Sequence, residues 1–134
     1  MKKTIILLTF IGILISCSTD ENNNSETTEL IGQWKLIEQL ADPGDGSGTF
    51  QSIDSQKVIK FFKNEVITSE NGSLCQPYSD EQISSGTYSL SEKRIITNCQ
   101  NANIAAIGFE IKDNYLLLHF ASNEGFSQKF EKIK

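Results

Sequence analysis

A chain of 134 residues is long enough for one domain with a modest core and too short for two such domains. Its formal net charge is −5, and its basic residues form no stripe, which argues against nucleic-acid binding and against attraction to anionic lipid. Any attachment to a membrane must therefore be covalent or hydrophobic.

The first 16 residues have the layout of a bacterial secretory signal peptide. Two lysines form the positive start, and residues 5–15 form an apolar run that is too short to cross a bilayer as a helix. The run ends in Leu14-Ile15-Ser16-Cys17, which resembles the lipobox of bacterial lipoproteins. The resemblance implies cleavage after residue 16 and lipidation of Cys17, whose acyl chains would anchor the protein stably.

Residues 17–29 are expected to comprise the lipidated Cys and a flexible tether. The stretch STDENNNSETTE after Cys17 has no apolar residue to bury, so it should be a solvated spacer with a reach on the order of 20 Å. Ser18, rather than Asp, follows the Cys. By similarity with the sorting rules of such lipoproteins, this favours the outer membrane, at its periplasmic face or at the cell surface.

Residues 30–134 change to short runs in which apolar and polar residues alternate, as is typical of β-strands. In the first run, Trp34, Leu36 and Leu40 are predicted to share one face, together with Glu38, which is expected at a rim because burying an unpaired carboxylate is costly. Later runs cover residues 58–62, 65–69, 86–90, 94–98, 107–112 and 116–120, and the last contains Phe126 and Phe130.

Turn signals separate these runs. They include the polar loop from Asp42 to Gly48, Asn71-Gly72, and Asp113-Asn114, which fits a tight hairpin. Eight or nine short strands joined by local turns predict an all-β fold, a small antiparallel up-and-down β-barrel whose closure removes exposed edges. A two-sheet β-sandwich is the alternative.

Cys75 and Cys99 are the cysteines of the predicted domain. Export would place them in an oxidising compartment, where a pair is normally a disulfide; free thiols and a metal site are the alternatives. Two cysteines and the distant His119 do not make a zinc ligand set, so we expect no metal and no cofactor.

Gly32-Gln33-Trp34 opens the first predicted strand, and a Gly-x-Trp at this place in a small barrel resembles the lipocalin superfamily. More closely, the order of motifs resembles the lipocalin-like domains of small bacterial lipoproteins. The likeness implies an antiparallel barrel with an interior pocket. It also implies that Trp34 packs at the closed end under a basic side chain, for which Arg94 and Lys129 are candidates. The further motifs lie at residues 42–50, 59–61, 72–75, 85–89, 109–111, 116–118 and 124–125.

No catalytic constellation is visible, so we expect a protein that is not an enzyme. His119 is the one base of the usual kind, and it alternates with the predicted inward residues of its strand, so it should face outward. The sequence has no Gly-x-Ser-x-Gly elbow and no phosphate-binding Gly loop followed by Lys.

Two functions remain open. In the first, the barrel of an envelope lipoprotein binds a small hydrophobic ligand. In the second, the barrel is filled by its own side chains, and its surface loops act on an envelope protein as an accessory or inhibitor. The partners expected are therefore the membrane, through the lipid on Cys17, and a hydrophobic ligand or an envelope protein, but not nucleic acid. The predicted lumen residues are Trp34, Leu36, Tyr88, Phe109, Ile111, Leu118, Phe120 and Phe130.

Overall fold

The computed structural model of the chain describes residues 28–76, 78–101 and 105–134. The predicted signal peptide, Cys17 and nearly all of the predicted tether lie outside the described residues. Within the described ranges, no helix is long and apolar enough to span a bilayer.

Residues 28–30 are helical, and the rest of the regular structure of the described residues consists of nine β-strands. They are β1 (Gly32–Ala41), β2 (Gln51–Ser52), β3 (Val58–Phe61), β4 (Val66–Glu70), β5 (Ser85–Ser89), β6 (Arg94–Thr97), β7 (Ala106–Lys112), β8 (Tyr115–Phe120) and β9 (Phe126–Lys132). Apart from β2, which the sequence did not predict, the strands overlap the runs identified in the sequence, because alternation supplies a strand with one apolar face.

The strands form a closed antiparallel barrel of the up-and-down type. From β3 to β9 each strand pairs with the next in the chain, and β1 closes the ring by pairing with both β3 and β9. The ring of described residues therefore has eight strands, while β2 adds a two-residue ladder to the second half of β1. The predicted all-β barrel is confirmed, and the sandwich alternative is wrong because β1 and β9 are hydrogen-bonded.

A β-bulge in β1 changes which residues of this strand face the interior. Leu36 pairs with Phe130, but Glu38 pairs with Lys129, so Ile37 is the extra residue. Directly paired residues point to the same side of the sheet, and Lys129 alternates with the buried Phe130. Glu38 therefore faces outward, where its carboxylate lies 3.1 Å from Lys129 Nζ.

The prediction that Trp34, Leu36 and Leu40 share one face is therefore wrong for the part of the strand after the bulge. Trp34 and Leu36 point into the barrel, but Leu40 pairs with Ser127, which alternates with the buried Phe126 on β9. Leu40 therefore lies on the outer face. Strict alternation fails here because one extra residue reverses the phase of a strand.

The interior of the barrel is a packed aromatic and aliphatic core. Phe61, Tyr88 and Phe109 meet at edge-on or tilted angles, with ring centroids 5.0 to 6.4 Å apart. The hydroxyl of Tyr88 donates a hydrogen bond to the carbonyl of Phe62 at 2.5 Å. Burial, followed by the nearby carboxylate of Glu65, raises the pKa of Tyr88.

The predicted hairpin between β7 and β8 is confirmed. Asp113 and Asn114 both have positive φ, 53° and 67°, as the tight turn favoured between antiparallel strands requires. Asp and Asn tolerate this conformation better than other residues with side chains, and so this dipeptide identifies the turn in the sequence.

Candidate functional site

One end of the barrel is shut by the start of β1, and we call it the closed end. The indole nitrogen of Trp34 donates a hydrogen bond of 2.8 Å to the carbonyl of Leu30, and the residue is only 1% exposed. Gly32 lies beside the end of the chain with φ of 130°, and a Cβ there would be 2.1 Å from the carbonyl oxygen of Lys134. The Gly of the Gly-x-Trp motif is thus required by close backbone contact.

The basic side chain over Trp34 is Lys132, whose Nζ lies 5.2 Å from the ring centroid. The two sequence candidates were wrong. Lys129 instead lies on the outer face beside Glu38 and over the Tyr115 ring, with Nζ 4.3 Å from the centroid. Arg94 is exposed on β6. Lys132 and Trp34 come together because β9 pairs with β1 across the closure of the barrel.

The predicted lumen residues all belong to the interior. Seven of them are buried, and Ile111 is half-buried and packs against the core. Near the closed end, a small cavity of about 70 Å³ has Leu90, Phe109 and Ile111 in its lining. The full set is Trp34, Leu36, Tyr88, Phe109, Ile111, Leu118, Phe120 and Phe130.

The opposite end, which we call the mouth, carries a cleft of about 750 Å³. Tyr78 is 74% exposed there, and its ring lies edge-on against Phe126 with centroids 5.7 Å apart. Behind Phe126, the ring of Phe120 follows at 5.6 Å. The cleft is lined by Ala41, Asp42, Gln76, Tyr78, Asn101 and residues 121–126.

A disulfide ties two segments of the mouth together. Cys75 and Cys99 are bonded, with their Cα atoms 6.0 Å apart, which confirms the predicted pair. Cys75 belongs to the segment after β4 and Cys99 to the segment after β6. The backbone N–H of Gln100 also donates to the Glu81 carboxylate at 2.7 Å, so the same two segments are joined a second time.

The polar loop after β1 is organised around one carboxylate. Oδ1 of Asp42 accepts the N–H groups of Gly44 and Gly46 at 2.7 and 2.9 Å, and Oδ2 accepts that of Gly48 at 2.7 Å. These bonds, with those from Gly46 and Gly48 foremost, lower the pKa of Asp42. Both carboxylate oxygens are therefore engaged in holding a turn at the edge of the mouth.

Lys57 and Gln128 are two interior polar residues that the sequence reasoning missed. Lys57 directly precedes β3 and alternates with Ile59 and Phe61, so it points inward and is only 6% exposed. Its Nζ donates a hydrogen bond of 3.0 Å to the side-chain oxygen of Gln128. Burial lowers the pKa of Lys57 to about 8. The period-two pattern of residues 57, 59 and 61 was the signal that could have identified Lys57.

A second cavity, of about 280 Å³, reaches Lys57. Gly72 makes room for the lysine stem, because a Cβ at this position would lie 2.8 Å from Cδ of Lys57. Gln76 lines both this cavity and the cleft of the mouth, so the two spaces adjoin. The lining also includes Leu36, Gln39, Asp54, Ser55, Cys75, Ser79, Gln82 and Gln128.

His119 faces outward, as its alternation predicted. Its Nδ1 lies 2.9 Å from Oγ of Ser127, and its Nε2 lies 3.3 Å from a carboxylate oxygen of Glu110. The sequence of contacts from Ser127 to His119 to Glu110 resembles a hydrolytic triad, but the three side chains lie on the paired strands β7, β8 and β9. Backbone N–H groups in such ladders are engaged with the neighbouring strand.

The fold and the site define a class: a small antiparallel β-barrel with a buried aromatic interior, a sealed end and a cleft at its mouth. This architecture is consistent with a lipocalin-like fold. No protein-family model, curated protein or solved structure significantly matches the chain. In the described part of the chain, no group of three or more His, Cys, Asp and Glu residues is arranged to hold a metal ion.

Proposed function

We propose that the chain is a lipocalin-like, non-enzymatic binding lipoprotein that takes a small, largely hydrophobic ligand at the mouth of its barrel. The observation that carries this proposal is the cleft of about 750 Å³ at the mouth. Sites for small molecules are usually concave spaces of roughly 300–1,000 Å³ with apolar walls and a few polar groups.

The lining of the cleft combines aromatic side chains with polar side chains, as a site for a largely hydrophobic ligand should. Tyr78 and Phe126 form an aromatic wall, and Phe120 continues it into the barrel. Gln76 and Asn101 add amide groups to the lining of the same cleft. An aromatic wall favours apolar parts of a ligand, and the polar groups orient it.

The anchoring of the protein belongs to the same proposal. Residues 1–16 would be removed, Cys17 would carry the lipid, residues 17–29 would form the tether, and residues 30–134 the barrel. The tether joins the barrel at Leu30, which lies beside Trp34 at the closed end. The mouth is thus at the far end from the attachment, which would leave it open to solvent beside the outer membrane.

Native mass spectrometry of the mature chain tests ligand binding directly. We expect a co-purifying small mass that is lost on unfolding. A neutral fluorescent naphthylamine probe then tests the location: Tyr78→Ala should weaken probe binding, whereas Ile133→Ala should leave it unchanged. Ile133 is a matched control, because it is also exposed but lies near the closed end. A ligand-free mass together with no probe binding would contradict the proposal.

Metabolic labelling with an alkyne fatty acid tests the anchor. The wild-type chain should incorporate the label, and Cys17→Ser should lose it, because the thioether and the N-terminal acyl group both depend on this residue. Retention of the label in Cys17→Ser would refute lipidation at this position.

A second function is favoured by the packed interior. Most of the predicted lumen residues are almost fully buried against one another, so the barrel itself provides much of its own filling. In that case the mouth would serve as a surface for an envelope protein, with the exposed Tyr78 as its anchor. A ligand-free mass combined with a specific cross-link from position 78 to one envelope protein would favour this function.

A further inference from the structure

Lys57 is a buried positive charge without a carboxylate partner among the described residues. The side chain of Glu38 pairs with Lys129, and that of Glu110 contacts His119, but neither carboxylate reaches Lys57. The acceptor found for its Nζ is the neutral side-chain amide of Gln128. An ammonium group has three N–H donors, so one amide oxygen leaves donor capacity unused.

The groups around the Lys57 ammonium stabilise its charge less than water would. The rings of Phe120 and Phe130 have their centroids 6.0 and 5.9 Å from Nζ, at the outer limit of a cation–π contact. Asp54 lines the same cavity but lies beyond ion-pairing distance. A buried charge of this kind is costly unless an anion accompanies it.

A row of packed aromatic rings extends from Lys57 to the surface. It passes the ring of Phe120, then Phe126, and ends at the exposed Tyr78, each ring contacting the next. The cavity of about 280 Å³ beside Lys57 adjoins the cleft through their common residue, Gln76. A molecule with an anionic head and an apolar body would match this arrangement, with its head at Lys57 and its body against the aromatic rings nearer the surface.

We propose that the ligand of the mouth is a small organic carboxylate, bound with its carboxylate at Lys57 Nζ and its apolar part along Phe126 and Tyr78. This assignment rests on the proposed function, since it names the ligand class of the same site. Charge-assisted hydrogen bonds are stronger than neutral ones, so the carboxylate would satisfy the unused donors.

Isothermal titration calorimetry with octanoate and with octanamide, its neutral counterpart, tests the assignment. The mature lipidated chain is reconstituted in nanodiscs at pH 7, where Lys57 is mostly charged, and empty nanodiscs serve as the blank. Octanoate should bind at least about tenfold more tightly than octanamide. Lys57→Met should abolish this preference, whereas Lys60→Met, on the outer face of β3, should preserve it.

Gln128→Glu supplies a second test that retains Lys57. The new carboxylate would lie beside Nζ and compete with the ligand, so octanoate binding should fall at least about tenfold while octanamide binding persists. The fluorescence of Trp34 verifies that each variant is folded. Equal binding of the two probes by the wild type, or a preference that survives Lys57→Met, would overturn the assignment and leave ligand binding intact. Binding of neither probe would also overturn it, and native mass spectrometry would then judge the proposed function separately.

Discussion

The closed end and the mouth of this barrel are built on different physical principles. At the closed end, Trp34 is enclosed by Leu30 and Lys132, and the residues below it are apolar. At the mouth, the interior contains Lys57 and Gln128. The apolar end supplies cohesion, whereas the mouth end buries polar groups, which is costly unless they are hydrogen-bonded. Under the proposed function, these polar groups would contact the ligand.

The two ends also differ in how their backbone is held. The closed end is held by regular pairing of β1 with β3 and β9. At the mouth, the segments after β4 and β6 depend on the disulfide and on single side chains, such as Ser73, whose Oγ accepts the N–H groups of Cys75 and Ile83. Segments outside the strand ladders open at a lower free-energy cost than paired strands, so the mouth should be the more dynamic end.

The largest expected effect is at the closed end. Trp34→Ala removes the largest buried side chain and should lower the free energy of unfolding by about 3–5 kcal/mol. Urea unfolding followed by circular dichroism measures this loss. Ile133→Ala, which truncates an exposed side chain of the same end, should change stability by less than about 0.5 kcal/mol. Similar losses in the two variants would refute the role of Trp34.

Removal of the disulfide should have the next largest effect. The double variant Cys75→Ser/Cys99→Ser opens a link between residues 24 positions apart and should cost about 3.5 kcal/mol. Hydrogen exchange should accelerate mainly at the mouth, for instance at Leu74, while Trp34 keeps its fluorescence. Cys17→Ser, which leaves the disulfide intact, is the control. Uniform acceleration at both ends would contradict the division of the barrel into two regions.

The smallest expected effect is the pH dependence due to Lys57. Its pKa falls from 10.5 to about 8 on folding, so between these values the unfolded chain binds more protons and stability rises with pH. From pH 7 to pH 9 the rise should be about 1 kcal/mol. Lys57→Met should remove it and Lys60→Met should not, as measured by urea unfolding at each pH. Keeping below pH 10 limits the opposing contribution of Tyr88, whose pKa is raised.

Local patterns in the sequence were sufficient for the strands, the main turns and most of the interior. Alternation identified all eight proposed lumen residues as inward, and Asp113-Asn114 identified a hairpin by its tolerance of positive φ. The expected export and the number of cysteines indicated the disulfide, which the structure contains. These inferences succeeded because they depend on residues close together in the chain or on the chemistry of one residue type. The anchor at Cys17 stays a prediction.

Only the tertiary structure decided the features that define the site. The bulge at Ile37 turned Glu38 and Leu40 outward, and the closure of the barrel placed Lys132, rather than Arg94 or Lys129, over Trp34. The pair of Lys57 and Gln128 joins residues 71 positions apart. A period-two pattern determines which side of a strand a residue occupies, but the partner across the barrel depends on register and closure, which local sequence does not contain.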